Sequence, residues 1–230
     1  MTSQRPAPAV AFPGAEAPCL AGTGRLADDL FLLAHDDATG RPFLAGRALA
    51  LGLGGALLGE LALARAIRLR ENRVTATGWT PAADWLAGAV LGRVLAEAGP
   101  QCLPDWLAVI GRTARHDVAR RLAEAGYLAP RSGWRARRAG RWVPVDSNCA
   151  FAAVIRVRAA LDPARHAAVG DVTLTGLACA SGLGSRLLPY GPPGARRHLE
   201  QQIRRLPPVL RELVTQTQAA VDAAVLSHRV

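Results

Sequence analysis

The sequence predicts a mostly α-helical domain carrying one arginine-rich β-ribbon. Three observations predict it. Half of the 230 residues are apolar while aromatics make up only 5%, and Ala, Leu, Val and Gly dominate, which favours packed helices over a sheet-rich core. Apolar residues recur at helical spacing through most of the chain. Between Ser132 and Asp146 the pattern becomes alternation, in "SGWRARRAGRWVPVD", which suits two strands joined at a turn placed at Ala139-Gly140.

The elements follow in order. Residues 1–22 are rich in Ala and Pro and read as a disordered tail, with residues 23–230 as the folded domain. The tail has a single charge near its start and an apolar run broken by proline, unlike a signal peptide. "GRLADDLFLLAHDDATGRPF" reads as a helix ending at Asp36-Asp37, then a turn at Gly40-Arg41-Pro42. "ALALGLGGALLGELALARAI" is apolar enough to resemble a membrane span. Glu60 and Arg65 interrupt it, and the uncharged run is too short for a bilayer that needs about 20 residues, so a buried core helix is expected.

"RLRENRVTAT" reads as extended. Thr80 and Pro81 fit the cap and first position of a helix whose apolar stripe includes Trp85, Leu86, Val90 and Val94. A short helix at Trp106, Leu107 and Ile110 precedes a second one, capped by Thr113, that ends at Gly126. Beyond the ribbon the pattern is helical to the end, with Val209, Leu210, Leu213, Val214, Val221 and Val225 on one side of the last helix.

Chemistry-bearing patterns are few. Gly52, Gly54, Gly55 and Gly59 lack both G-x-G-x-x-G spacing and a Walker lysine, so close helix packing is the better account. His35, Asp36 and Asp37 are consecutive on a helix and point about 100° apart, which does not converge on a metal. No Ser lies in a G-x-S-x-G elbow. The cysteines at 19, 102, 149 and 179 form no C-x-x-C pair, and reduced thiols in a cytosolic protein are expected. No catalytic site, metal or cofactor is therefore expected.

Charge is the strong signal. The net charge is +10 and every basic side chain is Arg, with no Lys. A GC-rich genome would write that bias unaided, but the charge draws a protein to nucleic acid or acidic lipid whatever its origin, and guanidinium forks well onto phosphate. Arg112, Arg115, Arg120, Arg121, Arg131, Arg135, Arg137, Arg138 and Arg141 face only Asp117 and Glu124 between residues 111 and 142, flanked by Trp134 and Trp142. Exposed Trp suits a membrane interface, a partner surface or a base stack. A helix followed by a basic hairpin is also the layout of a DNA-binding winged helix, in which Arg112, Arg115, Arg120 and Arg121 would meet phosphates or guanine edges.

The phrases "LADDLFLLAHDDATGRPF", "GLGGALLGELALARAIRL" and "GRTARHDVARRLAEAGYL" resemble the Golgi phosphoprotein 3 family over about residues 22 to 228. The resemblance implies an all-α fold, a central helical bundle wrapped by amphipathic helices with one protruding basic β-hairpin. It implies binding of phosphatidylinositol 4-phosphate at a membrane surface, and a hairpin used in membrane contact or oligomerisation; eukaryotic members also recruit glycosyltransferase tails and coat proteins. Two family arginines fall on Arg112 and Arg115. The family's headgroup Trp falls near Ala45 and is absent, leaving Phe43 as the nearby aromatic. A further family Arg falls on Gly54, with Arg47 the nearest substitute.

The expectation is a non-catalytic, cytoplasmic, peripherally membrane-associated adaptor that binds anionic phospholipid. Arg112, Arg115, Arg47 and Phe43 would hold the headgroup. Trp134, Arg135, Arg137, Arg138, Arg141 and Trp142 would form a membrane or homo-oligomer contact. The alternative is a winged-helix transcriptional regulator, with nucleic acid as partner.

Overall fold

The computed structural model describes residues 23–78, 84–97, 101–132 and 140–227. Its centre is a helix that touches almost everything else. α1 (Leu26–Leu33) leads through a tight turn into α2 (Gly46–Leu63), which packs against α1, α3 (Trp85–Ala96), α4 (Leu103–Glu124), α6 (Val169–Ala178) and α9 (Pro208–Leu226). α2 has a mean hydropathy of 1.3, long and apolar enough to cross a membrane by composition, yet 72% of it is buried inside the protein. Leu49, Leu53, Leu58 and Leu61 are fully enclosed, each contributing about 1.5–3 kcal/mol by leaving water.

A helix buried on all sides needs gaps for its neighbours, and the glycines supply them. A Cβ on Gly54 would lie 3.0 Å from the Leu107 carbonyl oxygen of α4, and one on Gly111 of α4 would lie 2.9 Å from the Ala50 carbonyl oxygen of α2. Gly55 faces Thr217 of α9, and Gly59 faces Leu26 of α1. These contacts bear out close packing over a nucleotide loop. They also show that α2 and α4 run antiparallel, with residue 107 beside 54 and residue 111 beside 50.

The rest wraps this pair. β1 (Ile67–Arg70) and β2 (Arg73–Ala76) form a hairpin turning at Glu71-Asn72, both with positive φ, the signature of a two-residue type I′ turn. β3 (Leu128–Pro130) and β4 (Trp142–Pro144) form the base of a second hairpin. α5 (Ser147–Leu161) and α6 pack on α1. A kink at Gly182 separates α6 from the short α7 (Gly184–Leu187). α8 (Ala195–Arg205) then lies against α5 and α6, and α9 closes the bundle. The fold is all-α with small β-hairpins, as expected.

Several boundaries differ from the sequence reading. α4 is one helix of 22 residues, with no break before Thr113, because Gly111 serves the close contact with α2 and does not interrupt the helix. α3 begins at Trp85 with Asp84 as its cap, accepting a hydrogen bond from the Leu86 amide at 3.1 Å; Thr80 and Pro81 lie outside the described residues. Trp85 is 39% exposed, its indole donating to Glu124 and its ring lying under Arg120 at 3.9 Å. The Arg131 amide donates to the Arg141 carbonyl, extending the base of the second hairpin, while the turn expected at Ala139-Gly140 falls on Ala139, which lies outside the described residues. Cys102 and Cys179 are free thiols, but Cys149 is disulfide-bonded, so the expectation of reduced thiols fails there; distance along the sequence does not report distance in space.

Two ionic networks cross-link the helices. Arg121, nearly enclosed, donates to Asp28 of α1 at 2.8 Å, to Glu60 of α2 at 3.0 Å and to the cap residue Asp84 of α3 at 2.6 Å. Arg156 of α5 binds Asp29 of α1 and, at 2.6 Å, Asp171 of α6. Arg121 is thus removed from any DNA-facing surface, so its place on a recognition helix does not hold; Arg120 stays exposed, over the Trp85 ring and 3.6 Å from Glu124.

Burial raises the Asp28 carboxyl to about 7, against the opposing pull of Arg121 and with help from the Glu60 charge. A group whose folded pKa is raised contributes stability at low pH that is lost as pH climbs from its unfolded value toward 7. Asp28→Asn should flatten the part of the stability–pH curve between pH 4 and 7 that falls with rising pH, as read by urea denaturation at several pH values. By the same method, Gly111→Ala should destabilise by about 1–3 kcal/mol through overpacking. Gly92→Ala, where an added Cβ meets nothing within 4 Å, should be neutral or stabilising by up to about 1 kcal/mol.

Candidate functional site

The turn between α1 and α2 organises one end of the bundle. Asp36 accepts from the Thr39 amide at 2.8 Å and its hydroxyl at 2.6 Å, holding its carboxyl below the usual range. The Gly40 amide donates to the Asp36 carbonyl, and the Phe43 amide donates to the Ala34 carbonyl. Gly40 has a φ of 62°, and a Cβ there would collide with the Trp142 carbonyl of β4. Only glycine serves both conditions, and the contact seats the base of the second hairpin on this turn. The sequence reading of "HDD" as a helix end entering a polar turn is therefore correct.

The antiparallel α2–α4 register sets the rest. Carried one turn beyond Gly111 and Ala50, it brings Arg115 level with Gly46 and Arg112 level with Leu49, at the first turns of α2. Arg112 and Arg47 are exposed and Arg115 is half-buried. Among the described residues no ion pair engages any of the three. The N-terminus of α2 adds to them, because its cap residue Ala45 offers no side-chain acceptor and its first amides carry the positive end of the helix dipole. Arg115 also lies close enough to His35 to disfavour its protonation.

His35 is the buried member of this end. Its ring stacks on Phe31 at 4.0 Å, its Nδ1 pairs with the Phe31 carbonyl at 2.8 Å, and its Nε2 is enclosed without a partner. Burial, with Arg115 adding to it, pushes the imidazole down to about 4. A cavity of about 340 Å³ lies beside it, lined among others by Asp36, Asp37, Phe43, Arg186 and Tyr190. Phe43 is 37% exposed, with the Arg186 guanidinium over its ring at 3.5 Å.

The α2–α4 register sets Arg115 level with Gly46 and Arg112 level with Leu49, Arg47 lies in the first turn of α2, and Phe43 lies in the turn just before it. Arg141 is half-buried at the hairpin base, and Trp142 is half-buried and packed partly on the core, which leaves less indole for an outside contact than the ribbon pattern implied. Trp134, Arg135, Arg137 and Arg138 lie outside the described residues. Sequence reasoning missed Arg186 and the inward placement of His35. An isolated Arg in the apolar run "GLGSRLLPY" was the only signal for the first. Gly54, where a family Arg would fall, has no room for a side chain, since even a Cβ meets the α4 backbone.

The fold defines an all-α bundle built around one buried central helix, with small β-hairpins at its edges. The chain belongs to the Golgi phosphoprotein 3 (GPP34) family, whose profile matches residues 26–226. No curated protein sequence matches the chain.

Below pH 6.5 an unfolded His35 takes a proton that the folded site refuses, so this residue costs stability progressively as pH falls from 6.5 to about 4. Imidazole resonances followed by NMR should show His35 neutral throughout pH 5 to 8.

Proposed function

We propose that this protein is a non-catalytic, peripheral membrane protein of the cytoplasm that binds anionic phospholipid headgroups. What supports the reading is that Arg47, in the first turn of α2, and Arg112 and Arg115, which the α2–α4 register sets level with Leu49 and Gly46, have no carboxylate partner among the described residues. Two guanidinium groups can fork onto a phosphomonoester with charge-assisted hydrogen bonds, and helix N-terminal amides favour the same anion. Phosphatidylinositol 4-phosphate fits this chemistry because its headgroup presents a phosphomonoester. Each further Arg facing an acidic leaflet adds about 1 kcal/mol, and Arg41 and Arg141 stand at the same end. The hairpin beyond Arg131 and Arg141 would contact the membrane or a second copy of the chain.

Liposome flotation at about 0.15 M salt tests this, with neutral vesicles set against vesicles of matched charge carrying phosphatidylglycerol or phosphatidylinositol 4-phosphate. The protein should float with acidic vesicles and prefer the phosphoinositide. Arg112→Ala with Arg115→Ala should abolish flotation while the thermal midpoint stays unchanged. Equal flotation on both acidic lipids would reduce the site to a basic surface without headgroup choice. No flotation, or complete displacement by duplex DNA, would sink the reading.

A further inference from the structure

Among the described residues, nothing pairs with one strand edge of the β1–β2 hairpin, and the groove beside it has chemistry of its own. In a two-residue hairpin the residues flanking the turn exchange hydrogen bonds, and the next pair points its amides and carbonyls outward. The register Arg70↔Arg73, Leu69↔Val74, Arg68↔Thr75, Ile67↔Ala76 therefore turns Val74, Leu69 and Ile67 outward. On the β2 side that edge is covered: the Val74 amide donates to the Gln101 carbonyl at 3.1 Å, and the Leu103 amide donates to the Asn72 carbonyl at 2.8 Å. On the β1 side, among the described residues, neither Ile67 nor Leu69 makes a backbone hydrogen bond beyond the hairpin.

A groove of about 860 Å³ runs along this open edge. Leu63, Ile67, Leu69, Pro208 and Val209 give it an apolar lining, Arg65, Arg68 and Arg70 stand along it, and no carboxylate lines it. The three arginines are exposed and take part in no ion pair among the described residues. Arg on an edge strand deters self-association, but deterrence alone does not need an apolar groove beside the unpaired backbone.

We propose that the open edge of β1 and its groove take up an extended peptide segment of another protein in which apolar residues alternate with Asp or Glu. The peptide backbone pairs with the outward amides and carbonyls of Ile67 and Leu69, which is strand addition. Alternate side chains of an added strand fall on opposite faces. Those on the Ile67 and Leu69 face drop into the groove over Leu63 and Val209, and those on the other face meet Arg68 and Arg70. The groove lies at the C-terminal end of α2, whose 18 residues separate it by about 27 Å from the arginines at the N-terminal end. A surface holding a membrane at that far end leaves this one free for a protein.

The test is fluorescence anisotropy with a labelled synthetic peptide alternating Val with Asp, titrated with the full chain. The wild-type protein should bind it and should ignore the same peptide with Lys in place of Asp. Arg68→Glu with Arg70→Glu should lose binding with an unchanged circular dichroism spectrum, because both side chains are exposed. Leu69→Pro, which removes the outward amide together with the half-buried Leu69 side chain, should also lose it, with the circular dichroism spectrum again checking the fold. The Arg112→Ala, Arg115→Ala variant should bind the peptide as the wild type does, so this proposal and the lipid reading stand or fall separately. No binding by the wild type, or equal binding of the Lys peptide, overturns the proposal. So does loss of vesicle flotation in the Arg68→Glu, Arg70→Glu variant with peptide binding intact, which would assign this edge to the membrane.

Discussion

A buried guanidinium cannot shed its charge, and the position of Arg121 at the core forces the rest of the bundle to answer it. Three carboxylates, from α1, from α2 and from the cap of α3, converge on that one side chain. Burying charges is expensive unless every partner is in place, so the network is satisfied by one arrangement of four segments and by few others. It sets where the C-terminal half of α4 lies. The glycine contacts at residues 54 and 111 then settle how far α4 slides along α2. Together they determine which α4 residues emerge beside the α2 N-terminus.

Those emergent residues are Arg112 and Arg115, so the basic end of the protein is a by-product of core packing. Neither arginine is held by a carboxylate among the described residues, in contrast to Arg121 and Arg156, which are saturated with them. The same residue type thus plays two roles. With carboxylates around it, Arg ties helices together; without them, its charge stays unpaired within the described protein.

Much of this was legible in the sequence because periodicity and glycine carry local information. The core placement of α2 followed from Glu60 and Arg65 cutting its apolar run, and the turn after α1 followed from Asp36 and Gly40. What was not legible depended on contacts between distant segments. The continuity of α4 through Gly111 could not be read without knowing that Ala50 lies against it. Arg121 looked like its exposed neighbours, since nothing nearby in the chain reveals that Asp28, Glu60 and Asp84 meet it. Phe43 and Arg186 are paired by the fold alone.

The cationic groups at the α2 N-terminus are all guanidinium groups, and the one histidine among them, His35, is enclosed and kept neutral. Guanidinium stays protonated throughout the physiological range, so the positive potential of this end is constant. It also offers no amine for acetylation, since the chain has no Lys. A phosphomonoester, by contrast, passes from one negative charge to two near pH 6. Under the lipid reading proposed above, any response to acidity in an encounter of the two would therefore be written into the ligand, with the protein a fixed reference against which the ligand's ionisation is read.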